Sequence, residues 1–160
     1  LPKDFTVFGI KYVNAYHGKY LRRGQSIIRN NALAVIDTIT FHQKYVENDE
    51  LWSLQTVGRY KVRVTTVLNM TPASPGSYTM DLNFDTNNNC TVSSTASSAF
   101  LVAGTGKIVK NGDIWGNVPR DAIYLNYVVT QGTYTHTITD TLVFRDKSVT
   151  FLEYAPTILP

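Results

Sequence analysis

Cysteine is almost absent from this sequence. Cys90 is the only one, which excludes an internal disulfide and any metal site built from several cysteines. It follows an asparagine-rich turn at residues 87–89, with no basic group nearby in the sequence to activate a thiol. We therefore predict a structural role for Cys90.

Charge is also sparse. Charged residues make up 17% of the chain, and 15 basic residues against 12 acidic ones leave a net charge of +3. The basic residues are scattered, which argues against nucleic acid as a partner. The densest group is Lys19, Arg22 and Arg23, which we predict to lie in a solvated loop.

Long apolar runs and a signal peptide are missing as well. No stretch approaches the roughly 18 apolar residues of a membrane span. The sequence starts at Leu1 without an initiator methionine, so we expect one domain of a longer exported chain.

The most regular pattern that is present has a period of two. Apolar and polar residues alternate within residues 60–68, 78–85 and 123–130, as in half-buried antiparallel strands, whereas no window shows a convincing helical period. Turn residues separate these runs, notably residues 72–77, 85–89 and 131–132. The predicted strands are 5–13, 18–22, 33–41, 52–58, 60–69, 78–85, 90–94, 100–109, 122–130, 133–145 and 149–154.

This pattern predicts an all-β fold in a single domain over residues 1–160. An antiparallel, lipocalin-like barrel of about 8–10 strands is the first choice, and a β-sandwich is the alternative. Residues 42–51 are mixed, and either a helical turn or an irregular loop is expected there. In residues 104–107, the two glycines favour a β-bulge or a tight bend over a phosphate loop.

Motifs for catalysis and metal binding fail when they are tested one by one. Residues 85–89 resemble the start of a calcium loop, but Cys90 stands where glycine is required and Ala96 where a bidentate glutamate is required. The three histidines lack metal-ligand spacing, and there is no Gly-x-Ser-x-Gly motif. We therefore predict that the domain is not an enzyme and uses no cofactor or metal.

The best candidate for ligand binding is residues 112–121, predicted as a loop between two strands. Trp115 lies there among Asp113, Asn117 and Arg120, which suits a sugar ring that needs an aromatic platform and polar side chains for its hydroxyls. Trp52 has a similar but weaker claim. The structural alternative is that Trp115 folds back and closes one end of the barrel.

Four stretches together resemble a known family. They are FGIKYVNAYHGKYLRRG at 8–24, GTGK at 104–107, DAIYLNY at 121–127 and DTLVFRD at 140–146. This is similar to the C-terminal domain of SusE-like surface lipoproteins from Bacteroidetes glycan-utilisation systems. The resemblance spans nearly the whole chain, and its motifs are structural rather than catalytic.

The resemblance implies a non-catalytic module that helps to hold polysaccharide or oligosaccharide at the cell surface. It also implies an outer-membrane parent protein, anchored by a lipid on a cysteine upstream of Leu1, with other glycan-uptake proteins as partners. Two alternatives stay open: a structural or protein-docking β domain, and a lipocalin-like carrier of a small apolar ligand.

Overall fold

The computed structural model describes residues 10–68 and 76–148. The described residues form nine antiparallel strands and one short 3-10 helix, Val46–Asn48. The strands are β1 Gly18–Arg29, β2 Val35–Phe41, β3 Glu50–Gly58, β4 Lys61–Leu68, β5 Gly76–Phe84, β6 Asn89–Ser94, β7 Leu101–Trp115, β8 Val118–Gln131 and β9 Tyr134–Asp146.

Eight of these strands close into a barrel. The order runs from β1 through β3 and then consecutively to β9, and β9 pairs back with β1 along residues 19–29 of β1. The all-β barrel prediction is therefore confirmed, and the sandwich alternative is wrong. β2 is the extra strand. It pairs with residues 24–29 of β1, on the edge that residues 18–22 of β1 share with β3.

Several predicted boundaries are wrong. Of the predicted strand 5–13, residues 10–13 are not in a strand and the rest lies outside the described residues, as does the whole of 149–154. The two glycines of residues 104–107 lie in regular pairing between β7 and β8. They are glycines because a side chain on either one would collide with β8. The irregularity in β7 instead falls between Val109 and Asp113.

The alternating positions face the barrel interior as predicted. Val62, Val64, Thr66 and Leu68 of β4 are all buried, and β5 and β8 follow the same rule. Buried aromatic and aliphatic side chains from all eight barrel strands form one continuous core, because alternate residues of a closed sheet point inward. Cys90 belongs to this core, and burial raises the pKa of its thiol to about 12.

One end of the barrel is closed by residues 14–17. The Asn14 side chain donates to the backbone oxygens of Gly58 (2.8 Å) and Lys61 (3.0 Å), which ties this segment to the β3–β4 turn. The Tyr16 ring stacks on Phe84 with the ring centroids 3.9 Å apart.

Arg22 contradicts the sequence prediction most directly. It lies in β1, not in a solvated loop, and its side chain points into the barrel with 1% exposure. Its Nε lies 3.0 Å from Oδ1 of buried Asp140, and its Nη1 donates to Glu50 Oε2 at 2.9 Å. Burial works against the charged guanidinium, but Tyr127 and Asp140 outweigh this effect and raise the pKa of Arg22. Because an unpaired buried charge is costly, the barrel supplies partners for this one.

The pair belongs to a chain of buried hydrogen bonds. The Tyr127 hydroxyl donates to Asp140 Oδ2 at 2.7 Å and lies 3.0 Å from the Tyr78 hydroxyl. The Arg22 guanidinium also lies over the rings of Phe41 and Trp52, at 3.6 and 4.6 Å from their centroids. A connected polar cluster thus lies within the barrel interior.

Candidate functional site

The residues predicted as a binding loop form a long β-hairpin. β7 continues to Trp115 and β8 begins at Val118, so the prediction of a loop at 112–121 is wrong for most of its length. A turn joins the two strands at Gly116 and Asn117, whose φ angles of 58° and 59° are left-handed. Glycine and asparagine tolerate such angles best, which explains their presence at this tip.

The irregular pairing between Val109 and Asp113 precedes the end of this hairpin. Asp113, Ile114 and Trp115 line a small surface cleft together with Leu21 of β1 and Val143 of β9. Leu21 and Val143 alternate with inward-facing residues and so point outward, yet they are only 2% and 5% exposed. The hairpin end and the segment around Val46 therefore cover this part of the outer barrel wall.

Trp115 is half-buried at this cleft. The Arg120 guanidinium lies over its ring, 4.8 Å from the centroid, an arrangement that attracts the cation to the aromatic face. Arg120 is fixed in turn, because its Nη1 donates to the backbone oxygens of Phe144 (3.3 Å) and Arg145 (3.2 Å). Trp115 thus lies beside the outer wall. The structural alternative, in which Trp115 closes one end of the barrel, is wrong.

An ion pair forms the polar side of the cleft. The buried carboxylate of Asp49 accepts hydrogen bonds from Arg23 Nε and, at 2.8 Å, from the backbone N–H of Gln43. Arg23 keeps 31% of its side chain exposed. Asp113 Oδ1 accepts from the backbone N–H of Ile114 at 2.7 Å. Charged side chains therefore line the cleft together with Trp115.

The cleft is small, with a volume of about 40 Å³. A single water molecule needs on the order of 10–15 Å³, so the cleft has room for about three water-sized groups. This space suits one edge of a sugar ring.

The structure does not assemble every residue that the sequence singled out. Asp113, Trp115 and Arg120 come together, whereas Asn117 lies at the exposed hairpin tip, outside the residues that line the cleft. Trp52 is 2% exposed inside the barrel, where its Nε1 donates to Glu50 Oε1 at 3.0 Å. Trp52 therefore offers no ring face to a ligand, and we leave it out of the site.

Sequence reasoning missed Arg23 and Asp49, which are 26 residues apart and meet only through the fold. It also missed Leu21 and Val143 in the cleft. The sequence did hold a signal for these two, since Leu21 follows Tyr20 and Val143 follows Leu142, and consecutive apolar residues occur where both faces of a strand are covered.

Within residues 10–68 and 76–148, no group of three histidine, cysteine, aspartate or glutamate side chains could hold a metal ion. None of the helical segments described there is long and apolar enough to cross a membrane.

Comparison with known proteins places this barrel in a family. A Bacteroides ovatus protein of unknown function, solved as a structural genomics target, matches with a TM-score of 0.83 and 34% identity. The match covers 94% of this chain and 48% of that one, so this chain spans about half the length of its structural relative. None of the curated proteins matches. The family model for the domain of unknown function DUF5627 matches residues 15–148, and the chain belongs to this family.

Proposed function

We propose that this barrel is a non-catalytic carbohydrate-binding module and that the cleft beside Trp115 receives one edge of a sugar unit of its ligand. The observation that supports this proposal most strongly is the half-exposed Trp115 ring, which contacts Arg120 and lines a cleft with the Arg23–Asp49 ion pair and Asp113. Such a site can stack against the apolar face of a sugar and hydrogen-bond its hydroxyls.

The biological setting that we propose is a cell-surface lipoprotein of the SusE-like type. The lipid anchor would lie outside this sequence, and other outer-membrane glycan-uptake proteins would be partners. Similarity to a longer Bacteroides ovatus protein supports this setting, since glycan-utilisation systems of this type belong to Bacteroidetes.

The packed interior favours surface binding over a carrier role. Large side chains such as Tyr78, Met80, Leu125 and Tyr127 fill the barrel, whereas a carrier needs an internal space for its ligand. The remaining alternative, a structural or docking domain, makes the opposite prediction for glycan binding.

Affinity gel electrophoresis against a broad panel of neutral and acidic polysaccharides tests the proposal. We expect at least one polysaccharide to retard the wild-type protein, and the Trp115→Ala variant to lose about tenfold or more in affinity. Tyr60→Ala is the matched control, because Tyr60 is exposed, lies near Arg59 in a similar cation–aromatic pair, and does not line the cleft. No retardation across the panel would contradict the proposal and favour the docking alternative.

A further inference from the structure

Tyr124 is an exposed aromatic residue that the sequence analysis did not single out. It lies on the outer face of β8 with 36% of its surface exposed. Its hydroxyl donates to the backbone oxygen of Gly112 at 2.7 Å, in the irregular part of β7. This hydrogen bond fixes the ring on the surface, so little conformational freedom would be lost when a ligand stacks on it.

The strand register places Tyr124 close to the cleft. Thr141 of β9 is directly opposite Tyr124, and Arg23 of β1 is directly opposite Thr141. Adjacent strands are about 4.8 Å apart, so Tyr124 lies roughly 10 Å from Arg23 across the sheet. One ligand chain could reach both places.

A row of uncharged hydrogen-bonding side chains runs beside Tyr124. Asn126 lies two residues further along β8, on the same face and about 7 Å away. Thr139 is opposite Asn126, and its hydroxyl donates to Asn126 Oδ1 at 3.1 Å. The row continues across neighbouring strands through residues that are all exposed and all carry a hydroxyl or an amide: Thr40, Gln25, Thr139, Asn126, Thr105, Thr91 and Asn83.

We infer that Tyr124, with Asn126, Thr139 and Thr141, forms a second sugar subsite, and that the ligand is an extended, uncharged polysaccharide. The inference rests on the proposed function of the cleft. A pinned aromatic ring beside amides and hydroxyls is suited to a sugar. Exposed Lys107 is opposite Tyr124 on β7, but the longer row through Asn126 carries no charge, which matches a neutral chain better than an acidic one. The small cleft receives the edge of one sugar unit, and the sheet face contacts the following units.

A chain-length series tests this inference by titration calorimetry. The probes are a neutral polysaccharide that retards the wild-type protein and the mono- and disaccharides derived from it. Tyr124→Ala is expected to weaken binding of the polysaccharide roughly three- to tenfold and to leave the shortest ligands nearly unchanged. Trp115→Ala should weaken binding at every length, and Tyr60→Ala at none. Tyr124→Phe keeps the ring but loses the hydrogen bond to Gly112, so an intermediate loss is expected.

A result that contradicts the proposed function differs from one that contradicts only the second subsite. If the wild-type protein binds no glycan, both the proposed function and this inference are wrong. If binding depends on Trp115 but Tyr124→Ala leaves affinity unchanged at all lengths, only the second subsite is wrong. Should Tyr124→Ala fail to fold, the double variant Asn126→Ala/Thr139→Ala replaces it. Its matched control is Thr65→Ala/Thr79→Ala, another hydrogen-bonded outer pair (2.9 Å), on β4 and β5.

Discussion

Replacing Asp140 by alanine removes the buried carboxylate beside Arg22. The guanidinium, 1% exposed, would keep Glu50 as its one acidic partner among the described residues, with a side chain that is itself 42% exposed, and the Tyr127 hydroxyl would lose its carboxylate acceptor. Breaking a buried ion pair from one side typically costs about 3–5 kcal/mol. For a chain of this size each kcal/mol lowers Tm by about 2–4 °C, so we expect Asp140→Ala to lower Tm by roughly 6–20 °C.

A double-mutant cycle in urea separates this effect from simple loss of packing. Arg22→Met removes the charge that Asp140 neutralises, so the double variant Arg22→Met/Asp140→Ala should lose less stability than the sum of the single variants. The coupling free energy should be about 1–3 kcal/mol. Strictly additive losses, or an Asp140→Ala cost below about 1 kcal/mol, would show that the interior network does not act as described.

Three further predictions concern other parts of the barrel. Burial lowers the pKa of His136, so the unfolded chain takes up a proton on this side chain at a higher pH than the folded protein does. The free energy of unfolding should therefore fall as the pH drops below about 6.5, and it should fall less in the His136→Leu variant. Urea midpoints measured across this pH range test the prediction. In the extra strand β2, the Asp37 carboxylate accepts a hydrogen bond from the backbone N–H of the next residue at 2.7 Å. A charge on an edge strand opposes pairing with another molecule. In sedimentation runs at rising concentration, the Asp37→Val variant should therefore associate, while the sedimentation of the wild-type protein stays the same. Cys90 should react with a thiol reagent far more slowly in the folded protein than in urea, because burial raises its pKa to about 12, and equal rates would refute its burial.

Local pattern was sufficient to predict most of the barrel wall. The alternation over residues 60–68, 78–85 and 123–130 places the inward residues correctly, because a strand that is half buried has a period of two. Closure was beyond local pattern, since β1 meets β9 across more than a hundred residues. Barrel and sandwich share the same alternation, so only this long-range pairing distinguishes them.

In the candidate site, too, the residues that are close together in the sequence were predictable, and those that only the fold brings together were not. Trp115, Asp113 and Arg120 are near one another in sequence, and the fold keeps them together. Arg22 was misjudged because a charged residue in a basic cluster suggests solvent, although it shares its alternation with Tyr20 and Ile28, which face the core. Trp52 follows the polar residues 48–50 in the sequence, yet it is buried inside the barrel, where the Glu50 carboxylate accepts its indole hydrogen bond.

Fluorescence of Trp115 as the sole tryptophan tests glycan binding at the cleft most directly. The chain has two tryptophans, so Trp52→Phe leaves Trp115 as the only indole emitter, and Trp115→Phe leaves Trp52. Titration with a polysaccharide that retards the protein should change the emission of Trp52→Phe saturably and leave that of Trp115→Phe unchanged. Unchanged emission of Trp52→Phe at saturating polysaccharide, with the variant shown to be folded, would contradict binding at Trp115.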